Sequence, residues 1–357
     1  MTSPPPLPDL FLANMGTPLM WMTLLHLFIG NAVIALLEGL VLAGCFKIRR
    51  LTAVGCALLA NYSSAWLGVW LFPEHFPGSE DVNITNLQTW LWRGVILAFM
   101  LTLVVEAPFF WLGLRKRPRP IRSTVLGTLL VNAITYPMLA YVFWSSSSTS
   151  MLTRLEIAAP PTMEAPKDLR LFFLSPEGNQ VMQTDLTGAN PVAVNALPEL
   201  PAEFKRHLYA MPTTPRSYNL MLLTGPYREQ KEEWQPQLLL ADFSSDAGVE
   251  YMVAEDLPSP GPFAHRGPAI RMASSAADAE DSYQVGLYPN EGIRKGGARP
   301  FRFALEAPFA MWPVRHATQI SDDMVIFQLG NDQICLLRPY SRKIALIARG
   351  HSPVVAR

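Results

Sequence analysis

Charge is scarce in this sequence. Asp, Glu, Lys and Arg make up 16% of its 357 residues, while 50% are hydrophobic. A soluble protein of this length carries more charge and a chain lying wholly in a membrane carries less, so the composition averages two kinds of region. Acidic and basic residues balance at 29 each. The polar half has no basic patch interleaved with aromatics, which argues against nucleic acid as a partner. Cysteine is nearly missing as well. Cys45, Cys56 and Cys335 are too few for a disulfide framework, and an oxidising compartment is neither required nor excluded. Catalytic signatures are missing throughout: no GxSxG, P-loop, GxGxxG, HExxH or paired-Cys metal site occurs. His26 sits in an apolar run and reads as a packing residue. His207, His265, His316 and His351 are scattered and read as solvated loop residues. No catalytic, cofactor-binding or metal-binding residue is assigned, no cofactor is implied, and the chain reads as non-enzymatic.

What the sequence does have is long apolar runs. Four segments, about 18–46, 51–72, 89–114 and 121–144, are long enough to cross some 30 Å of hydrocarbon, which takes about 20 helical residues. The first lacks the basic flank and cleavage site of a signal peptide. Lys47, Arg49 and Arg50 lie between the first two spans, and Arg115, Lys116, Arg117, Arg119 and Arg122 between the last two. The tail 1–17 and the loop between spans two and three carry no Lys or Arg. Positive residues stay in the cytoplasm. The expectation is a multi-pass protein of the cell (inner) membrane with both termini extracytoplasmic and the C-terminal half in the periplasm or outside. Arg93, among Trp90 and Trp92, reads as a side chain reaching the interface.

The two basic loops are flanked alike. Glu38 lies nine residues before Lys47, and Glu106 nine before Arg115. Asn61 lies eleven after Arg50, and Asn132 ten after Arg122. All four side chains then sit about 13–17 Å from the cytoplasmic loops, near the bilayer midplane. A hydroxyl follows each Asn by three residues, at Ser64 and Thr135, on the same helix face. The pattern reads as a tandem duplicated αα-hairpin forming a four-helix bundle. Asn31, Ala35, Glu38, Gly39 and Ala43 make a small and polar stripe of the kind that packs membrane helices together. Asn31, Glu38, Asn61, Ser64, Glu106, Asn132 and Thr135 are therefore expected to form an intramembrane polar cluster, with Glu38–Asn61 and Glu106–Asn132 as neutral hydrogen-bonded pairs. The alternative is a path for a proton, ion or solute through the two carboxyls.

After Trp144 the chain turns to "SSSSTSMLTRLEIAAPPTMEAPKD", a Ser/Pro-rich linker spanning 145–168. From Leu169 apolar residues recur with period two, broken by turn residues. "LRLFFLSPEGNQVMQTDLTGANPVAVN" and "MVIFQLGNDQICLLRPYSRKIALIARG" share one layout of strand, turn, strand, turn, strand, and two looser copies lie between them. Such meanders resemble β-propeller blades of the WD40 or NHL general kind. The resemblance implies an all-β, propeller-like extracytoplasmic domain over 169–357. A β-sandwich, or an open fragment completed by a partner, is the other architecture weighed. Trp234, Trp312 and Tyr340 read as packing residues.

Together these features describe a multi-domain membrane protein whose helices anchor a β-rich binding or scaffold domain. Its partners would be the lipid bilayer and a protein bound through the β-rich domain or the helices, in a homo- or hetero-oligomer. The competing expectation is a transporter or channel component that uses Glu38 and Glu106.

Overall fold

A computed structural model describes residues 26–75, 82–146, 155–167, 169–201, 204–214, 217–226, 235–244, 283–285, 292–295, 301–303, 305–307, 310–321 and 323–356. The tail 1–17, the end of the Ser run from Ser147, His265 and Trp234 lie outside these residues. The chain divides into two compact units, one of helices and one rich in β-structure.

Among the described residues the helical unit has four long helices: α1 (Asn31–Phe46), entered through a π-helical turn at His26–Gly30, α2 (Arg50–His75), α3 (Leu87–Leu114) and α4 (Pro120–Ser146). Lys47 ends α1 in the left-handed region, at φ 45°, and the chain re-enters a helix at Arg50. Pro108 and Pro137 lie inside α3 and α4, which run on past them. Among the described residues three stretches are long and apolar enough to cross a membrane: Phe28–Phe46, Leu87–Leu114 and Pro120–Tyr141. The second expected span does not reach that standard. Its helix carries Asn61, Tyr62, Ser63 and Ser64 in one run, and these lower its apolar character.

The interior of the helical unit is small and polar, and its exterior is large and apolar. Ala35, Ala43, Ala53, Ala57 and Ala60 are buried with Leu42, Phe110 and Val131. Val104 and Ile121, by contrast, are 72% and 74% exposed. A water-soluble fold reverses this order, and hydrocarbon-embedded helices adopt it. Gly39 is required by the contact of α1 with α2, since a Cβ there would stand 2.6 Å from the Cα of Val54. Arg93 stacks over the Trp90 ring at 5.1 Å, an arrangement of cation on aromatic that suits an interfacial position.

The β-rich unit contains five sheets among the described residues. The first is β17 (His351–Ala356), β2 (Arg170–Leu174), β3 (Gln180–Asp185) and β4 (Val192–Ala196), in that order, all antiparallel. The second is β5 (Phe204–Thr214), β6 (Ser217–Pro226) and β7 (Gln235–Ser244). The largest orders β1 (Glu156–Ile157), β16 (Lys343–Arg349), β15 (Gln333–Arg338), β14 (Met324–Leu329) and β13 (Val314–Ser321). Two small sheets complete the unit: β8 (Tyr283–Val285), β9 (Ile293–Lys295) and β10 (Phe301–Phe303), and then β11 (Leu305–Ala307) with β12 (Ala310–Trp312). The described strands form no closed barrel or propeller.

The first sheet is covered on both faces. Leu171 and Phe173 of β2 share a core with Ile326, Ile334 and Leu336 of the largest sheet. Phe172 and Leu174 share another with Leu208, Leu220 and Leu222 of β5 and β6. That double burial explains why "LFFL" is apolar throughout, where a half-buried strand would alternate. The turn after β3 is held by Asp185, whose Oδ1 accepts from the Thr187 amide at 2.8 Å and the Thr187 hydroxyl at 2.6 Å. The Thr187 hydroxyl chiefly, with backbone amides, holds that carboxyl below its ordinary range. Cys335 is fully buried, and burial pushes its thiol up, so it is a packing residue. Trp312 is buried against Gly330.

Two features were not expected. The stretch 145–168, read as linker, is structured in its second half: β1 pairs parallel with β16, and Met163 is 0% exposed within the main β core. In addition, Asn83–Thr85, from the connection between α2 and α3, belongs to the β-rich unit. There the Ile84 amide donates to Gln333 Oε1 at 2.8 Å, and Ile84 is fully buried.

Candidate functional site in the helical unit

Charged side chains inside apolar helices are the natural starting point, because an unpaired one at the bilayer centre costs at least about 2.5 kcal/mol on insertion scales. Glu38 of α1 and Glu106 of α3 are each 1% exposed. Both are reached by asparagines of the following helix. Asn61 Nδ2 donates to Glu38 Oε2 at 2.6 Å, and Asn132 Nδ2 donates to Glu106 Oε2 at 3.0 Å. Each amide also donates to a carbonyl one turn back, Ala57 O at 3.1 Å and Thr128 O at 3.0 Å. Those second bonds fix the rotamer that presents the amide to the carboxyl.

The hydroxyls cross over. Ser64, on the helix that pairs with Glu38, reaches Glu106 Oε1 at 3.1 Å. Thr135, on the helix that pairs with Glu106, donates to Glu38 Oε1 at 2.9 Å. Each carboxyl thus joins an amide from its own helix pair to a hydroxyl from the other pair. All four carboxyl oxygens meet a donor from this chain. Asn31 is buried seven residues before Glu38 on the same face of α1.

The proton inventory of the cluster favours neutral carboxyls. Ser64 Oγ lies 3.1 Å from the Asn61 carbonyl, and Thr135 Oγ1 lies 3.0 Å from the Val131 carbonyl, besides their contacts to Glu106 and Glu38. A hydroxyl has one proton to give. If the carboxyl is ionised, the hydroxyl turns to it and gives up the carbonyl. If the carboxyl is protonated, it donates to the hydroxyl oxygen and the hydroxyl serves the carbonyl, so the neutral form makes one more hydrogen bond.

Two residues of this neighbourhood escape a reading by spacing from the basic loops alone. The Thr102 and Tyr136 hydroxyls meet at 3.0 Å, and Tyr136 stands edge-on to Phe99 with centroids 4.9 Å apart. A signal was available, since Thr102 lies four residues before Glu106 and Tyr136 four after Asn132. The Thr128 hydroxyl, one turn before Asn132, is buried without a hydrogen-bond partner among the described residues. No group of three or more His, Cys, Asp or Glu that could hold a metal occurs among the described residues.

Comparison with protein-family models, with curated proteins and with solved structures finds no match for this chain.

Proposed function

We propose that this chain is a non-enzymatic, polytopic membrane protein. In this reading its four helices form a bundle of two duplicated hairpins, and the bundle anchors a propeller-like β-rich domain outside the cytoplasm. That domain binds a protein partner, and the whole serves as a subunit of a membrane complex. The observation that carries the structural role of the helices is the pairing of Glu38 and Glu106: every carboxyl oxygen has a hydrogen-bond partner from the same chain. Basic loops on one side and a Lys- and Arg-free loop on the other support the orientation.

The orientation is tested by single cysteines at Ser79 and Ser123 in a background lacking the native three. Impermeant maleimide should label the first in intact cells and the second only after permeabilisation. The opposite pattern overturns the topology. The scaffold role is tested by purification in mild detergent, where a protein partner should co-purify in a fixed ratio and be lost on deleting residues 155–357.

A transport role is the second reading. Its support is the burial of two carboxyls in one polar cluster, each bonded to a hydroxyl that carries a proton. It requires that Glu38→Gln abolish function in a folded protein.

A further inference from the structure

Residues 47–49 join α1 to α2, and 115–119 join α3 to α4. Packing brings these two basic loops together at one end of the helical unit. A Cβ on Gly113, near the end of α3, would stand 3.9 Å from Ile48 Cδ1 of the first loop. A Cβ on Gly127 of α4 would stand 3.5 Å from Phe46 Cε2 and 3.4 Å from Leu114 Cδ1, the residues that precede the two loops. The first loop brings Lys47, Arg49 and the adjoining Arg50 to this end, and the second brings five more cations over 115–122. All are exposed except Arg117, which is half-buried.

The backbone of both loops is set. Lys47 and Arg119 hold φ at 45° and 124°, values that a residue with a Cβ seldom adopts. The Arg117 amide donates to the Leu114 carbonyl at 3.0 Å, and the Arg119 amide to the Arg117 carbonyl at 3.0 Å. Pro118 and Pro120 restrict themselves and the residues before them. The cations stand on ordered turns, so less freedom is lost when an anion binds.

The charge has no answer nearby in the chain. No Asp or Glu occurs over 39–73 or 107–155. Glu38 and Glu106 lie nine residues from the loops and are buried. Among the described residues, ion pairs form in the β-rich unit, where Arg338 meets Glu164 and Asp323, and Arg349 meets Asp332. Like charges held together repel, and an anion from outside relieves them. Orientation in a membrane asks only for cations on one side. It asks neither for ordered turns nor for the joining of the two loops.

The surface beside the cations is apolar. Leu51 follows Arg50 and is 72% exposed, and Ile121 precedes Arg122 and is 74% exposed. Each helix start therefore sets an arginine next to a large aliphatic side chain open to the surroundings. A phospholipid matches that order, with phosphate on the guanidinium and acyl chains along the aliphatic residues. All the cations but Lys47 and Lys116 are arginine, whose planar fork takes phosphate oxygens in pairs.

We propose that the two basic loops form one binding surface for anionic phospholipid headgroups of the leaflet they face. The inference rests on the reading of the helices as membrane-embedded.

In the test, full-length protein in mild detergent is offered phosphatidylglycerol or phosphatidylcholine with the same acyl chains, and bound lipid is counted by native mass spectrometry. Phosphatidylglycerol should be retained about tenfold more. The pair Arg49→Gln, Arg50→Gln and the pair Arg115→Gln, Arg117→Gln should each cut that preference about threefold or more. Arg93→Gln, near the other end of α3, should leave it intact. Equal retention of the two lipids, or a preference that survives both pairs, overturns the proposal. So does displacement of the lipid by excess inorganic phosphate, which would assign the surface to a free anion. Should the variants fail to insert, salt decides on the wild type. Between about 50 mM and about 500 mM the preference should fall several-fold as the charges are screened, and a preference indifferent to salt overturns the proposal. Incorporation into nanodiscs of pure phosphatidylcholine tests the membrane reading by itself. A chain that stays out of them overturns both readings, and one that enters yet prefers no lipid overturns this inference alone.

Discussion

Glu38 holds two donors from different helices, so its substitutions separate shape from charge. Glu38→Gln keeps the size, an acceptor for one donor and a donor of its own. Thermal stability in detergent should change by less than about 1 kcal/mol, in line with measured membrane hydrogen bonds. Glu38→Ala leaves a void and strips both Asn61 and Thr135, and should cost about 1–3 kcal/mol. The same order should hold at Glu106. A Gln variant that melts like wild type yet fails to complement a deletion strain would favour the transport reading. The crossing gives a second prediction. Double-mutant cycles for Glu38 with Thr135→Val and for Glu106 with Ser64→Ala should each show coupling of about 0.5 kcal/mol or more. A cycle for Glu38 with Ser64 should couple more weakly. The pairing of each Glu with an Asn was legible in the sequence, because equal spacing from two basic loops gives equal depth. The crossing was not. Helical periodicity says which residues share a face, and it is silent on which helix lies opposite.

Among the elements, α1 and α2 depend on the absence of one methyl group. A Cβ on Gly39 would meet backbone atoms of Val54 at 2.6 and 2.8 Å, whereas a Cβ on Gly44 meets nothing within 4 Å. Gly39→Ala should therefore force the helices apart and cost about 1–3 kcal/mol. Gly44→Ala should be neutral or slightly stabilising, because alanine is the better helix former. Equal melting temperatures for the two variants would contradict the close approach. The same contrast marks how far elements can be read from sequence. The three apolar helices were legible from length alone. Strands of the first and largest sheets were legible from their turns, Pro176–Asn179 and Gly330–Asp332, more than from alternation, since β2 and β14 are buried on both faces. β1 was not legible. Two residues pairing with a strand nearly 190 positions away leave no periodic trace, and their neighbours Ala159, Pro160 and Pro161 look like linker.

At the scale of the molecule, the boundary of the β-rich unit moves. A chain begun at Leu169 lacks Met163 and β1, while one begun at Leu155 keeps both. Residues 155–357 should therefore melt cooperatively, at a temperature well above that of residues 169–357. Loss of a fully buried Met side chain alone is worth about 2–5 kcal/mol. Circular dichroism of the two fragments checks this, and equal melting curves would return 155–168 to the role of linker. The position of β17 has a different consequence, one of timing. It completes the sheet begun by β2, pairing Val354 with Phe172 and Val355 with Leu171. Translation runs from one to the other, so β2 emerges roughly 180 residues before its partner exists. Throughout that interval one edge of the first sheet is bare, and bare edges recruit foreign strands. Its cell must therefore either complete the chain faster than such encounters occur, or shield the waiting strand until residue 356 has arrived.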